Sequence, residues 1–194
     1  MTRTDLTVGA VLLAIGRSER FGPANKLLAD YEGEPIVRRA AQTLLDAPLE
    51  DHITVVGHEA AAVRDALPDS FDVRYNDRYE DGQHTSVQEG VIAVRKRSWD
   101  AVVFALGDMP VVAPATIECL RDAFEARRGS IVAPAYDGKR GNPVLFGAAH
   151  FGTLADVAGD QGGRRLVVTH PDAIRIAVDD PGVRRDVDWP EDLP

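Results

Sequence analysis

The segment that most constrains the fold is an apolar run that ends abruptly in a charged turn. Val8–Ala14 carries no charge and is rich in Val and Leu, which suits one buried strand and is too short for a membrane-spanning helix. The turn then supplies two glycines, a hydroxyl and three cations, namely Gly16, Arg17, Ser18, Arg20, Gly22 and Lys26. Glycines let backbone N–H groups approach phosphate oxygens, and Arg and Lys supply the opposite charge. The segment therefore predicts an anion-binding loop, with a plain solvated surface loop as the alternative.

This loop differs from the two commonest phosphate-binding motifs. A P-loop requires Lys and then Ser or Thr directly after its second glycine, whereas Pro23 follows Gly22 here. The dinucleotide fingerprint requires G-x-G-x-x-G, a spacing that Gly16 and Gly22 do not provide.

Apolar strand-like runs alternate with helical patterns along the chain. We predict strands at 8–14, 52–57, 71–76, 101–106, 130–134, 142–146 and 173–178, and helices at 35–45, 59–67, 86–97, 114–127 and 162–169. This alternation predicts a three-layer α/β fold, with a mainly parallel sheet and helices on both faces. In such sheets ligands bind beyond the carboxyl ends of the strands. Gly16 and Asp108 both follow an apolar strand closely, so we expect two site loops at one sheet edge.

Length and composition limit the number of domains and the kinds of partner that the chain can have. A chain of 194 residues suits one domain, and we expect residues 1–194 to form it. The net charge of −9 argues against nucleic-acid binding, although a local cationic cluster can still bind a nucleotide. Without a long apolar segment or a signal-peptide pattern, we expect a cytoplasmic protein that binds no membrane. The single cysteine, Cys119, excludes an internal disulfide and a multi-cysteine metal site.

Asp108 is the strongest candidate for a metal ligand from the residue pattern. A carboxylate at the end of a buried strand is well placed to hold Mg²⁺, which prefers one or two carboxylates together with phosphate oxygens and water. The alternative is an ordinary turn aspartate before Pro110.

Three other segments contain candidate binding residues. After Asn76, Gly82 supplies a flexible turn, and Thr85 or Ser86 is a candidate cap for the next helix, whose N-terminus suits an anionic ligand. Residues 134–144 resemble a hairpin with a cationic tip, for which a plain exposed hairpin is the alternative. Residues 184–193 are an acidic segment.

The motifs, and the order in which they follow one another along the chain, resemble those of the nucleotidyltransferases that build molybdenum cofactors and nucleotide-sugars. Residues 13–22 correspond to the family's Leu-Ala-Ala/Gly-Gly-x-Ser-x-Arg-Met/Phe-Gly, and Lys26 corresponds to its following lysine. Ile15 departs from the pattern, since it replaces a small residue that lies near the nucleotide base. Residues 107–110 match Gly-Asp-Met-Pro at every position, and residues 186–193 are similar to the family's Asp-Ile-Asp-Thr-Pro-Glu-Asp-Leu.

The resemblance implies a Rossmann-like nucleotide-diphospho-sugar transferase fold and an Mg²⁺-dependent reaction. An acceptor phosphate attacks the α-phosphorus of an NTP and releases pyrophosphate. The implied catalytic residues are Lys26, Arg20 and Asp108, and the implied metal ligands are Asp108 and Asp188, with Asp186 as the alternative to Asp188. The implied nucleotide-binding residues are Leu13, Ala14, Ile15, Gly16, Arg17, Ser18, Gly22, Lys26, Asn76, Gly82 and Ser86.

Two later motifs resemble the molybdenum cofactor cytidylyltransferase branch. Its Tyr-x-Gly-x-x-Gly-His-Pro-Val loop corresponds to residues 136–144, with Asn142 in place of His, and its Gly-Asp-x-Gly-Ala-Arg segment corresponds to residues 159–164. The resemblance implies CTP and molybdopterin as substrates and a molybdoenzyme or chaperone as a downstream partner. The implied acceptor-binding residues are Tyr136, Arg140, Gly141 and Asn142. A guanylyltransferase, a sugar-1-phosphate nucleotidyltransferase and a non-catalytic nucleotide-binding module remain the alternatives.

Overall fold

The computed structural model describes residues 6–16, 21–22, 24–156 and 162–194. The strands in these residues are β1 Val8–Ala14, β2 Asp30–Tyr31, β3 Glu34–Pro35, β4 His52–Val56, β5 Asp72–Tyr75, β6 Ala101–Leu106, β7 Ile131–Tyr136, β8 Lys139–Arg140, β9 Val144–Gly147 and β10 Ala173–Ala177. The α-helices are α1 Ile36–Leu45, α2 Ala60–Ala66, α3 Gln83–Arg95, α4 Pro114–Glu125, α5 Phe151–Ala155 and α6 Gly162–Thr169. Short 3-10 turns cover Lys26–Leu28, Tyr79–Asp81, Ala148–His150, Pro181–Arg184 and Pro190–Asp192.

The main sheet has the strand order β10-β7-β9-β6-β1-β4-β5, and β8 pairs with β7. β1 lies in the interior of the sheet and runs parallel to both of its neighbours, β4 and β6. β9 is antiparallel to β6 and β7, and β2 and β3 form a separate two-stranded hairpin. The sheet is therefore mixed but mostly parallel.

Helices cover both faces of the sheet, and β1 shows why its sequence is apolar throughout. Leu12 packs into the layer that contains α1, α2 and α4, whereas Leu13 packs into the layer that contains α3, α5 and α6. All seven residues of β1 are buried, since each face of the strand is covered. This arrangement confirms the predicted three-layer α/β fold.

The predicted elements agree with the structure best where the apolar pattern is strongest. β1, β6 and α6 have the predicted bounds. The sequence reasoning missed α5 and the β2–β3 hairpin, because both are short. It also placed the last residues of β7 in a loop, whereas β7 continues to Tyr136 and turns into β8.

The start of α3 corrects another prediction. The helix begins at Gln83, so Thr85 and Ser86 lie in its first turn and do not cap it. The capping position belongs to Gly82, whose φ of 121° is a conformation that favours glycine. The hydroxyl of Thr85 instead donates to the carbonyl oxygens of Arg78 and Gly82 at 2.9 Å.

The longest helix in the described part of the chain is α3, with 13 residues. A transmembrane helix requires about 20 apolar residues. None of the described helices is long and apolar enough to cross a bilayer.

Candidate active site

The loops that follow β1 and β6 meet at the carboxyl edge of the sheet. The two strands are in register, with Leu13 opposite Leu106, and the N–H of Gly107 donates to the carbonyl oxygen of Leu13 at 3.0 Å. Gly16 and Asp108 therefore follow neighbouring parallel strands at the edge where α/β folds bind ligands.

Lys26 lies between the two carboxylates that were predicted as metal ligands. Its Nζ donates to Asp108 Oδ2 at 2.8 Å and to Asp188 Oδ1 at 2.7 Å. The lysine stands at the start of a 3-10 turn whose cap is Asn25, since Asn25 Oδ1 accepts a hydrogen bond from Leu27 N at 3.0 Å. A Cβ atom on Gly16 would lie 3.3 Å from Lys26 Cε, so the glycine leaves room for the lysine side chain.

The segment before the C-terminal 3-10 turn brings Asp188 to this site. Val187 N donates to the carbonyl oxygen of Asp108 at 2.9 Å, which fixes the segment beside the β6 loop. Asp192 Oδ2 accepts hydrogen bonds from Asp188 N at 2.9 Å and Trp189 N at 2.8 Å. These two backbone donors lower the pKa of Asp192 below its ordinary value. Of the two predicted alternatives, Asp188 contacts Lys26.

Burial and charge shift the titration of the central pair. Burial raises the pKa of Asp108 above its ordinary value, although the positive charge of Lys26 opposes this shift. Burial also opposes the charged form of Lys26, but Asp108 and Asp188 together outweigh it and raise the lysine pKa above 10.5. Lys26 is therefore a protonated side chain held by two carboxylates.

Asp108 retains one oxygen with unused bonding capacity. Its Oδ1 is buried and has no hydrogen-bond partner in the described part of the chain. Buried carboxylate oxygens are rarely left without a partner, and a divalent cation would satisfy this one. The described residues contain no cluster of three or more His, Cys, Asp or Glu side chains that could hold a metal. Mg²⁺ prefers one or two carboxylates together with phosphate oxygens and water, so Asp108 and Asp188 fit such an ion.

Asn76 and Ser86 are fully buried, and their polar groups are used within the protein. Asn76 Nδ2 donates to Thr85 Oγ1 at 2.8 Å and to Ser86 Oγ at 2.7 Å, while its Oδ1 accepts from Arg78 N at 3.0 Å. These bonds connect the end of β5 to the first turn of α3. The structure therefore places both side chains as supports of the loop around Gly82.

The other predicted nucleotide-binding residues fall into two groups. Leu13 and Ala14 are buried at the end of β1, Ile15 packs beside the α3 layer, and Gly22 has a φ of 92°. Arg17, Ser18 and Arg20 lie outside the described residues, as do residues 159–161 of the later motif.

A cavity of about 260 Å³ is lined by Leu13 and Leu106, near the ends of β1 and β6, and by residues of the neighbouring helices and strands. Two of the four predicted acceptor-binding residues, Arg140 and Asn142, line this cavity. The other two, Tyr136 and Gly141, do not. Gly141 instead packs against the chain at Val183, where a Cβ atom would lie 2.4 Å from the carbonyl oxygen. The sequence reasoning missed most of the lining, because its apolar residues have the pattern of ordinary core positions.

Comparison with known proteins identifies the family. Residues 10–174 match the profile of the MobA-like NTP transferase domain. The chain belongs to the MobA-like NTP transferase family. This membership confirms the resemblance that the sequence motifs indicated, and it makes NTP transfer the chemistry associated with this fold.

Relatives of this family member cover almost its whole length. It is 29% identical to nicotine blue oxidoreductase of Paenarthrobacter nicotinovorans, over 100% of this chain and 98% of the relative. It is 28% identical to purine catabolism protein PucB of Bacillus subtilis, over 98% of this chain and 95% of the relative. Among solved structures, Rv0371c of Mycobacterium tuberculosis is 30% identical with a TM-score of 0.83, covering 97% of this chain and 96% of that one. A second structure of Rv0371c is a complex with manganese.

Proposed function

We propose that residues 1–194 form a single nucleotidyltransferase domain that transfers a nucleoside monophosphate from an NTP to a phosphorylated acceptor and releases pyrophosphate. CTP is the favoured nucleotide and molybdopterin the favoured acceptor, with a molybdoenzyme or chaperone as the downstream partner. The observation that carries the proposal is the contact of Lys26 with Asp108 and Asp188 at the carboxyl edge of the sheet. Family membership supports the reaction type, and the motifs at residues 136–144 and 159–164 support the cytidylyltransferase branch.

The proposed division of labour follows from charge and position. Asp108 and Asp188 would hold Mg²⁺, which supplies positive charge for the phosphate oxygens. Lys26 adds a cation directly beside this position, and Arg20 contributes a second one by resemblance. The acceptor phosphate is itself the nucleophile, so no nucleophilic side chain is needed. Catalysis then depends on positioning two anions and neutralising the charge that develops.

The test is pyrophosphate release from CTP, GTP, ATP and UTP, each with Mg²⁺ and with molybdopterin as acceptor. We expect release with CTP only, dependent on both the acceptor and the metal. Release with GTP instead would indicate the guanylyltransferase alternative, and release with a sugar 1-phosphate the nucleotide-sugar alternative. Nucleotide binding without release from any combination would contradict the transferase proposal and favour a binding module. Repeating the assay with Mn²⁺ tests whether this protein uses the ion found in the Rv0371c complex.

One relative's name favours a second candidate, which is an oxidoreductase activity. Nicotine blue oxidoreductase is similar over the whole chain, and most of the residues that line the cavity at the ends of β1 and β6 are apolar. Oxidation of NADH or NADPH in the presence of a ring-shaped dye, at a rate that Asp108→Asn leaves unchanged, would support this candidate over nucleotidyl transfer.

A further inference from the structure

One buried carboxylate attaches the turn that follows β10 to the first turn of α4. Asp180, which is 7% exposed, accepts hydrogen bonds through Oδ2 from Ala113 N at 2.9 Å and Thr116 Oγ1 at 2.7 Å. Ala113 stands at the capping position of α4 but has no side-chain oxygen, so Asp180 caps this helix from a distant segment. Its Oδ1 accepts from Gly182 N at 2.8 Å within residues 180–184, which we call the cap turn. Asp180 therefore joins α4 to the cap turn through both of its oxygens.

The cap turn packs against the loop that carries Asp108. Gly182 is buried, and a Cβ atom at this position would overlap the carbonyl oxygen of Val111, three residues after Asp108. Farther along the chain, Val187 N donates to the carbonyl oxygen of Asp108 at 2.9 Å, one residue before Asp188. The cap turn and the segment that continues from it are thus fixed to the same loop. The place of Asp188 therefore depends on where the cap turn is held.

The cap turn also contacts residues 136–144, which we call the acceptor loop because the sequence motifs assign it to acceptor binding. Val183 is fully buried, and its carbonyl oxygen accepts a hydrogen bond from Asn142 N at 2.9 Å. A Cβ atom on Gly141 would overlap the same oxygen, so the two segments are in close backbone contact. The cap turn therefore connects the acceptor loop to the segment that carries a proposed metal ligand.

We propose that Asp180 is a positioning residue for Asp188, and that the cap turn transmits a displacement of the acceptor loop to the metal site. Asp180 acts through the turn that it holds and does not itself contact the ion or the substrates. The inference rests on the metal site and the nucleotidyl transfer proposed above. It gives a role to a residue that lies outside every motif of the sequence.

The first test compares Mn²⁺ binding to the parent and to Asp180→Asn without nucleotide, by electron paramagnetic resonance of the free ion. Asparagine has one accepting oxygen in place of two, so it can keep the bonds to α4 or the bond to Gly182 but not both. We expect Mn²⁺ affinity to fall about tenfold, within the range for groups that orient metal ligands. The affinity for CTP without metal, measured by calorimetry, should not fall, because Lys26 keeps its charge.

Thr54→Val is the matched control for the loss of a buried hydrogen bond. Thr54 is fully buried, and its Oγ1 donates to the carbonyl oxygen of Leu12 at 3.2 Å within the sheet. This variant should unfold at a lower urea concentration than the parent and bind Mn²⁺ with the parent's affinity. Unchanged Mn²⁺ affinity in folded Asp180→Asn, or an equal loss in Thr54→Val, would show that Asp180 has only a structural role and would overturn the proposal.

A milder variant covers the case in which Asp180→Asn does not fold. Thr116→Val removes one hydrogen bond to Asp180 and keeps those from Ala113 and Gly182. We expect it to weaken Mn²⁺ binding about threefold, the loss expected when one hydrogen bond of ordinary strength is removed. Mn²⁺ affinity equal to that of the parent would then overturn the proposal.

Gly141→Ala tests the link from the acceptor loop. Its backbone does not have the positive φ that favours glycine, so the added methyl group acts only by displacing Val183. We expect Mn²⁺ affinity to fall several-fold, although the methyl group is added to the acceptor loop and not to a proposed metal ligand. Gly152→Ala is the control, because its Cβ atom would make an ordinary contact 3.6 Å from an Arg95 nitrogen. Unchanged Mn²⁺ affinity in folded Gly141→Ala would refute the link.

Failure of this inference can be distinguished from failure of the proposed function, because Mn²⁺ binding is measured without turnover. Pyrophosphate release from CTP, together with unchanged Mn²⁺ affinity in Asp180→Asn, would leave the transferase standing and refute the role of Asp180. Mn²⁺ binding that depends on both Asp188 and Asp180, in a protein that releases no pyrophosphate, would support the positioning role and refute the transferase.

Discussion

Lys26 and Asp108 are 82 positions apart in sequence, and their side chains form a 2.8 Å charged hydrogen bond at the carboxyl edge of the sheet. The same Lys26 Nζ also contacts Asp188, so one cation occupies an oxygen of each proposed metal ligand. A divalent cation bound to these carboxylates would therefore share its immediate surroundings with a positive charge. Because of this contact, we expect replacement of Lys26 to change the affinity for a metal ion and the affinity for a nucleotide in opposite directions.

Replacing Lys26 should strengthen metal binding and weaken nucleotide binding. In Lys26→Gln, we expect Mn²⁺ without nucleotide to bind several-fold more tightly, because a competing cation is removed. We expect CTP affinity to fall at least about tenfold, because a phosphate contact is lost. Electron paramagnetic resonance of free Mn²⁺ and calorimetry with CTP measure the two effects, with Lys96→Gln as the control. Unchanged CTP affinity would refute the phosphate role of Lys26.

Asp108 and Asp188 should both be needed for turnover, whereas Asp186 should not. Asp108→Asn and Asp188→Asn each remove a charged oxygen that contacts Lys26, and we expect each to reduce pyrophosphate release about a hundredfold or more. Asp186→Asn should keep activity within a few-fold of the parent. Far-ultraviolet circular dichroism checks that the variants fold. A larger loss in the Asp186 variant than in the Asp188 variant would reverse the assignment of the second ligand.

Asp192 should act as a positioning residue for Asp188. Its Oδ2 accepts hydrogen bonds from the backbone of Asp188 and Trp189, which holds the segment in place. Asp192→Ala should therefore weaken Mn²⁺ binding about tenfold, within the range of outer groups that orient metal ligands. Asp192→Asn keeps an acceptor oxygen and should recover most of the affinity. If the Asn variant binds Mn²⁺ as poorly as the Ala variant, the carboxylate acts through its charge and not by accepting these bonds.

His150 should make the protein less stable in mild acid. Burial, followed by the charge of His170, lowers the pKa of His150 below 6.5, although Asp172 opposes this shift. The unfolded chain therefore takes up a proton on this residue more readily than the folded chain does. Its contribution to the free energy of unfolding is complete above about pH 6.5 and is lost as the pH falls through the folded-state pKa.

The measurement is urea denaturation between about pH 7 and pH 5, with His150→Gln beside the parent. The stability of this variant should depend less steeply on pH, whereas His58→Gln, at a histidine whose side chain is 41% exposed, should retain the parent's dependence. Identical pH dependence in His150→Gln and the parent would contradict the prediction.

The sequence alone was sufficient to predict those features that depend on the residues of a single short segment. The continuous apolar runs of β1 and β6 require a strand covered on both faces, and this requirement predicted the three-layer sheet. The parallel arrangement then placed Gly16 and Asp108 at the same edge. The family was also readable, because its motifs are local and keep their order along the chain.

Contacts between distant segments were decided only by the tertiary structure. The sequence motif favours Asp188 and leaves Asp186 as the alternative, but the contact of Asp188 with Lys26 depends on how the segment around Val187 packs against the β6 loop. The sequence could not show that Asn76 and Ser86, which it predicts to bind nucleotide, also join β5 to α3 through a hydrogen bond between their side chains. The cavity collects residues from seven strands and helices, and each of its apolar lining residues looks like a core residue in its own segment. Periodicity fixes which face of an element is buried, but only the packing of several elements decides where that buried surface leaves space for a ligand.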